Sequence, residues 1–489
     1  MKKFFRLFSG LIVLSLLLAA CATPAAAPAP TSAPAQTAAP AQTAAPAVTA
    51  APAQTAAPAK TTEPVATEKP VETQKPAEAK APVKLVVWWW GEQEAPGAQK
   101  WMDETVAKYQ ADNPNVTIET VLQSTETLVP AFQSAAAAKQ GPDIQYFWGG
   151  VWTLENAWSG ALVPINDLIP ADEMKHYINN FERAYDGKQW GLGWYLSGNP
   201  FVFNPALFTK AGLDPKNPPA TWDALKEACT KLNGIGVTPI AGGLKDGWFG
   251  GWLFSLLARQ TQDSEKAFMA ASVGQAKFSD PKFAEWWSRL KELKDAKCWN
   301  KDINSLDYQQ GQDLFVQGKA AMIFGNDTFL KGWADLTGWD KLGVMKVPAF
   351  GTGKLANTYV VTAQGWGITS WSKYPKEAAQ FLMYMHTPDR LKAWFNDTGV
   401  FPADDRLDTS LITQPQLKQI YEWDTTISGP NLENFIPSML DEQANFAGVQ
   451  LLFSGDKTPA DLAKMTDDVI AKWRDQNPDS VKNFETWAK

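Results

Sequence analysis

The chain has 489 residues and carries 45 basic against 52 acidic side chains, a net charge of −7. Both signs are interspersed, which gives no basic stripe for nucleic acid and no patch for an anionic membrane. Two histidines and three cysteines supply almost no material for a zinc site or a histidine-based triad, so no metal and no cofactor is expected.

The N-terminus reads as an address. Lys2, Lys3 and Arg6 form a basic region, and Leu11 to Leu18 form an apolar stretch too short to be a good membrane span. It ends in Leu18-Ala19-Ala20-Cys21, which resembles a bacterial lipobox. Signals of that kind are cut before the cysteine, which makes 1–20 a signal peptide and Cys21 a lipidation site. Each buried CH₂ of such an anchor contributes roughly 0.8 kcal/mol. An ordinary secretory signal that happens to contain a cysteine is the alternative.

From 22 to about 82 the composition collapses to Ala, Pro, Thr and Gln, then shifts to Glu, Lys and Pro. Frequent proline removes donors and disfavours helix, so 21–82 is expected to be a lipidated cysteine followed by a disordered linker. Extended at ~3.1 Å per residue it would reach on the order of 190 Å, and as a coil roughly 45 Å.

The remaining stretch, 83–489, is long for one core and comfortable for two lobes. Lys84 to Trp90 reads as a buried strand, and Trp101, Met102, Val106 and Tyr109 fall at helical spacing until Asn113-Pro114. Val116 to Leu122 is the next strand, followed by a helix from about Thr127 to Lys139 and a strand from Asp143 to Phe147. This alternation predicts an α/β lobe with a mostly parallel sheet. Ligands of open sheets sit beyond the carboxyl ends of the strands. The segments of interest are therefore Trp89 to Glu92, Gln123 to Glu126 and Trp148 to Trp152. Cys229 and Cys298 each lie near the end of an amphipathic run. In an exported chain such a pair invites a disulfide, with two buried free thiols as the alternative.

The order of several motifs is similar to the family 1 extracellular solute-binding proteins, the sugar receptors of ABC importers typified by maltose-binding protein. The motifs are VVWWWGE, GPDIQYFW with SGALVPI, GNPFVFNPALFTKAGLDPKNPPATWDAL, FVQGKAAMIFGNDTF, KVPAFGTG, AQGWGITSWSKYPKEAAQFLMYM and TPDRLKAWFNDTGVFPA. The resemblance implies a two-lobe type II periplasmic-binding-protein-like fold that closes by a hinge. Crossings are expected near Ser197–Pro200, Val347–Phe350 and Phe395–Phe401. Lobe 1 would then hold about 83–197 and 350–395, and lobe 2 about 200–347 and 401–489. It also implies a monomeric, non-enzymatic capture protein. Such a protein is lipid-anchored on the outer face of a bacterial cell membrane and delivers a small sugar to ABC permease subunits.

The 23 tryptophans point the same way. A sugar offers apolar C–H faces to aromatic plates and ring-edge hydroxyls to carboxylates, amides and backbone groups. The candidate plates are Trp89, Trp90, Trp148, Trp152, Trp194, Trp248 and Trp366. The candidate hydroxyl partners are Glu92, Glu126, Asn199, Asp246, Asn326, Asp327, Asp441 and Glu442. By position, the resemblance carries over Glu92, Trp148 and Trp248. Asp327 and Asp441/Glu442 stand where or near where the maltodextrin-binding members place aromatics, which points to a shorter or different sugar. A strand tryptophan serves a core as readily as a cleft. A glycoside hydrolase working with two of these carboxylates, or a surface sensor or adhesin, are the competing functions.

Overall fold

A computed structural model describes residues 81–489. The signal, Cys21 and nearly all of the linker lie outside the described residues. Twelve strands occur among them: β1 Val83–Trp89, β2 Val116–Leu122, β3 Ile144–Phe147, β4 Ala184–Tyr185, β5 Lys188–Gln189, β6 Leu192–Gly198, β7 Phe201–Phe203, β8 Thr238–Ala241, β9 Ala320–Phe324, β10 Gly343–Met345, β11 Tyr359–Ile368 and β12 Ser428–Gly429.

Two main sheets form. The first runs β12-β11-β3-β1-β2, with β6 also paired to β11. The second runs β10-β7-β9-β8, and β4 and β5 form a separate hairpin. The β1–β2, β1–β3 and β8–β9 pairs are parallel, as crossover helices require. Antiparallel pairs enter where the chain passes between the sheets: β11 against β3 and β6, and β7 against β9 and β10. A strand arriving from the other sheet comes from the opposite direction, so the parallel cores acquire antiparallel members.

Local sequence accounts for the first β-α-β unit. β1 alternates buried and more exposed residues, and helix Ala98–Asp112 buries Trp101, Met102, Thr105 and Tyr109 on one face. The interior of this lobe is largely aromatic. Trp194 packs against Trp101, Trp366 and Trp394 with ring centroids 5.6, 4.8 and 4.8 Å away, and meets Trp89 edge-on at 6.2 Å. In the second lobe Cys229, on helix Trp222–Gly234, is disulfide-bonded to Cys298 with Cα atoms 5.2 Å apart.

The chain leaves the first sheet at Asn199-Pro200, between β6 and β7. Its return falls later than the Val347–Phe350 crossing that the resemblance implies. Ala349 accepts from Trp222 N at 2.9 Å, Gly353 N donates to Gln260 O at 2.9 Å, and Leu355 N donates to Gln262 O at 3.1 Å. These bonds hold 349–355 to the second lobe, and the first sheet resumes only at Tyr359. At the third passage Leu196 N donates to Phe401 O at 2.8 Å. Beyond it, helix Pro459–Gln476 packs on helix Pro281–Asp295 of the second lobe, while β12 adds two residues to the first sheet beside β11.

Candidate ligand site

A cavity of about 510 Å³ lies where the carboxyl end of β3 meets the C-terminal helical segment. Its walls come from helix Thr125–Ala138, from Gln145 to Trp148, from helix Val151–Trp158, and from Ser438, Met439 and Glu442. The turn out of β3 depends on glycine. Gly150 has φ +52°, and a Cβ on Gly149 would collide with Glu182, Thr362 and Asn434 side chains. That sharp exit sets Trp148 against Trp152, on the first turn of the next helix, edge-on at 5.6 Å. Trp90 backs Trp148 at 5.8 Å and donates its indole N–H to Thr125 Oγ1 at 3.0 Å. Trp148 and Trp152 remain half-buried and line the cavity.

Glu155 lies three residues after Trp152 on the same helix face. Its carboxylate accepts from Ser438 Oγ at 2.6 Å and Ser438 N at 3.3 Å, tying the helix to the C-terminal segment. Burial, with a smaller contribution from the Glu442 charge, pushes its pKa up to about 7. Burial raises Glu442 as well. Gln145, on β3, donates Nε2 to Tyr146 O at 2.8 Å, while its Oε1 is buried without a partner.

A second polar cluster joins the two lobes. Glu94, 4 % exposed, accepts from Tyr195 Oη at 3.1 Å and Ser197 Oγ at 2.9 Å on β6, and from Asn326 Nδ2 at 2.7 Å beyond β9. Beside it Asp327 accepts from Gly198 N at 2.9 Å and Tyr359 Oη at 3.3 Å. Burial lifts Glu94 to about 7 and Asp327 to about 8. Glu433 and Asp441 are raised by the same cause.

The residues expected at the site divide into four groups. Trp148, Trp152 and Glu442 line the cavity, with Trp90 directly behind. Glu126 and Asp246 are exposed, one on each lobe, and the Glu126 charge is among those that raise Asp246 after burial and Asp307. Trp248 stands on the second lobe, half-buried against Trp252 and Tyr308 at 5.1 and 5.0 Å, and does not line this cavity. Asn199 and Asp327 are buried at the crossing, where Asn199 Nδ2 donates to Gly325 O at 3.1 Å.

Four expectations need correction. Trp89, Trp194 and Trp366 are at most 2 % exposed and form the first lobe's core: Trp89 is on the buried side of the alternating β1, while β6 and β11 are covered on both faces, so that every apolar side chain is interior. Glu92 caps a helix instead of facing ligand. Its Oε1 accepts from Gly97 N at 3.1 Å and its Oε2 from Gln99 N at 2.6 Å, satisfying free donors at the start of Ala98–Asp112. The turn closed by Glu94 N and Ala95 N on Gly91 O is what aims Glu94 inward and leaves Glu92 at the helix end. Glu94 has no separate sequence signal, since only the turn distinguishes the two carboxylates. Glu155 could have been found from its helical spacing to Trp152.

Residues 104–418 match the family described as bacterial extracellular solute-binding protein, and the chain belongs to that family. A putative binding protein of Brucella abortus (strain 2308) is 24 % identical over 306 residues, covering 62 % of this chain and 72 % of that protein. The sn-glycerol-3-phosphate-binding periplasmic protein UgpB of Escherichia coli (strain K12) is 23 % identical over 325 residues, covering 62 % and 71 %. Among solved structures, a chitin oligosaccharide binding protein superposes with TM-score 0.72 at 25 % identity, covering 80 % of this chain and 98 % of the other. An ABC substrate-binding protein from Listeria monocytogenes in complex with cycloalternan gives TM-score 0.67 at 20 % identity, covering 81 % and 99 %. These family members and neighbours are binding proteins, and the fold is theirs: α/β, in two lobes. No helix among the described residues is long and apolar enough to cross a membrane.

Proposed function

We propose that this protein captures a mono- or oligosaccharide outside the cytoplasm and presents it to the permease subunits of an ABC importer. The observation that carries this reading is the cavity in which Trp148 and Trp152 offer aromatic faces beside Glu155, Glu442 and Gln145. Aromatic plates match pyranose C–H faces, and the carboxylates and amide match the hydroxyls at the ring edge. The solved neighbour named for chitin oligosaccharides supports a carbohydrate, whereas the relative named for glycerol 3-phosphate suggests a phosphate. The lining favours the former: its charged members are Glu155, Glu442 and Lys139, and Lys139 sits at the far end of helix Thr125–Ala138. A phosphate placed between Glu155 and Glu442 would meet like charge.

The ligand binds between lobes, so capture draws them together, and the closed form is what a permease recognises. The protein acts without catalysis and without a cofactor, as a monomer held to the membrane through acylated Cys21 and lifted from it by the linker. A thermal-shift screen against a sugar panel tests the function. A matching sugar at 100 times its Kd adds about 2.7 kcal/mol of stability, and a panel without any shift overturns the carbohydrate reading. Cys21→Ser is expected to release the protein into the medium or leave it unprocessed. Normal processing with full membrane retention would refute the anchor.

A further inference from the structure

We infer that the ligand of this cavity is a carbohydrate bearing a free amine, whose ammonium sits between Glu155 and Glu442 while its ring lies on Trp148 or Trp152. The inference rests on the carbohydrate reading and makes it narrower.

Three observations converge. First, the carboxylates have no cation. Glu155 is held only by the Ser438 hydroxyl and backbone N–H, both neutral donors, and its charged neighbour is another carboxylate, Glu442. Burial without a cation is what pushes the Glu155 carboxyl up to about 7, and a cationic ligand beside it would favour the ionised form. Second, the single base in the lining, Lys139, is exposed and forms no ion pair with either carboxylate. Third, Gln145, 1 % exposed, is one of the residues around the same cavity, and its buried Oε1 has no donor.

The polar groups beside the two half-buried indoles are thus the Glu155 and Glu442 carboxyls and the Gln145 amide. Ionised carboxylates accept and do not donate, and an ammonium brings three donors with a charge of the opposite sign. Indole faces attract cations as well as C–H bonds, by about 0.5–2 kcal/mol depending on desolvation. A neutral sugar would use the tryptophans and hydrogen-bond the carboxylates but bring no positive charge to them. A small polyamine would use the carboxylates and leave the 510 Å³ cavity poorly filled. An amino sugar uses both.

The test is calorimetry on the full mature chain in detergent, with length-matched oligomers of glucosamine, N-acetylglucosamine and glucose, and with spermidine. The glucosamine oligomer is expected to bind at least tenfold more tightly than either neutral oligomer. Glu442→Gln, at an exposed position where the fold is not at risk, should remove most of that preference by lowering affinity for the glucosamine oligomer more than for either neutral oligomer. Glu155→Gln, which keeps an acceptor for Ser438, should do the same. Neutral oligomers binding as well as the amine, or a preference that survives both substitutions, would overturn the amine and leave the carbohydrate reading standing. Spermidine binding with no response to any sugar would overturn both.

Discussion

At the scale of single residues, tryptophans of identical chemistry divide by exposure into half-buried cavity walls and core. Trp148→Ala is expected to weaken sugar binding by about 1–3 kcal/mol, the apolar face it buries against ligand, with a smaller effect on stability. Trp194→Ala should do the reverse, costing about 3–5 kcal/mol of stability through the cavity it leaves. Titration calorimetry beside denaturant unfolding separates the two, and equal loss of affinity in both variants would show that exposure does not distinguish them. The sequence led to Trp148 and Trp152 because they follow a strand end. It could not exclude Trp194 or Trp366, because a fully covered strand carries no alternation to mark an inward side, nor Trp89, which closes the buried side of β1 right beside the loop. Glu94 makes a different prediction. Burial raises its carboxyl from the ordinary 4.5 to about 7, so the folded state holds a proton that the unfolded chain has released between those values. Its contribution to stability is complete below about pH 4.5 and is lost as pH rises through about 7. Glu94→Gln should flatten the stability profile across that window, measured as melting temperature against pH. A profile as steep as the parent's would assign the slope to Glu155, Glu182 and Glu433, which are raised to the same value.

At the scale of elements, the β-α-β alternation was legible because each strand is a short apolar run and each helix has a clear face and a stop at glycine or proline. The late return to the first sheet was not legible. It rests on backbone hydrogen bonds from 349–355 to Gln260, Gln262 and Trp222, contacts that no local pattern encodes. The carboxylate of Glu92 is an element-level feature in the same sense. Glu92→Ala should destabilise by about 1 kcal/mol through loss of the helix cap and leave sugar affinity unchanged, and reduced affinity at unchanged stability would return Glu92 to the site. The Cys229–Cys298 bond closes a loop across 69 positions of sequence and ties helix Trp222–Gly234 to the segment just beyond helix Pro281–Asp295. Reducing it should lower unfolding free energy by about 2–4 kcal/mol. Equal urea midpoints with and without reductant would contradict that.

At the scale of the whole molecule, the Glu94–Asn326 hydrogen bond spans the lobes beside a crossing strand, and Ser197 Oγ, an acceptor from Asn326 Nδ2 at 2.6 Å, extends the link. Removing it with Asn326→Ala should favour separated lobes in the free protein. For the chain beginning at Val83, solution scattering is expected to show a larger radius of gyration for this variant than for the parent without sugar, and convergence of the two at saturation. Identical curves in all four conditions would mean that the lobes do not move.

The placement of β11 has a consequence for how the protein is made. This strand lies between β3 and β6, so the first sheet cannot be assembled until residues 359–368 exist, long after β1, β2 and β3 have been synthesised. A nascent chain that stops at 358 carries the exposed edges of both neighbours and no strand to cover them. The order of synthesis therefore leaves the N-terminal half without β11 until residues 359–368 are made. A fragment ending at 358 is expected to be cut throughout residues 83–198 by a protease that leaves the full chain intact.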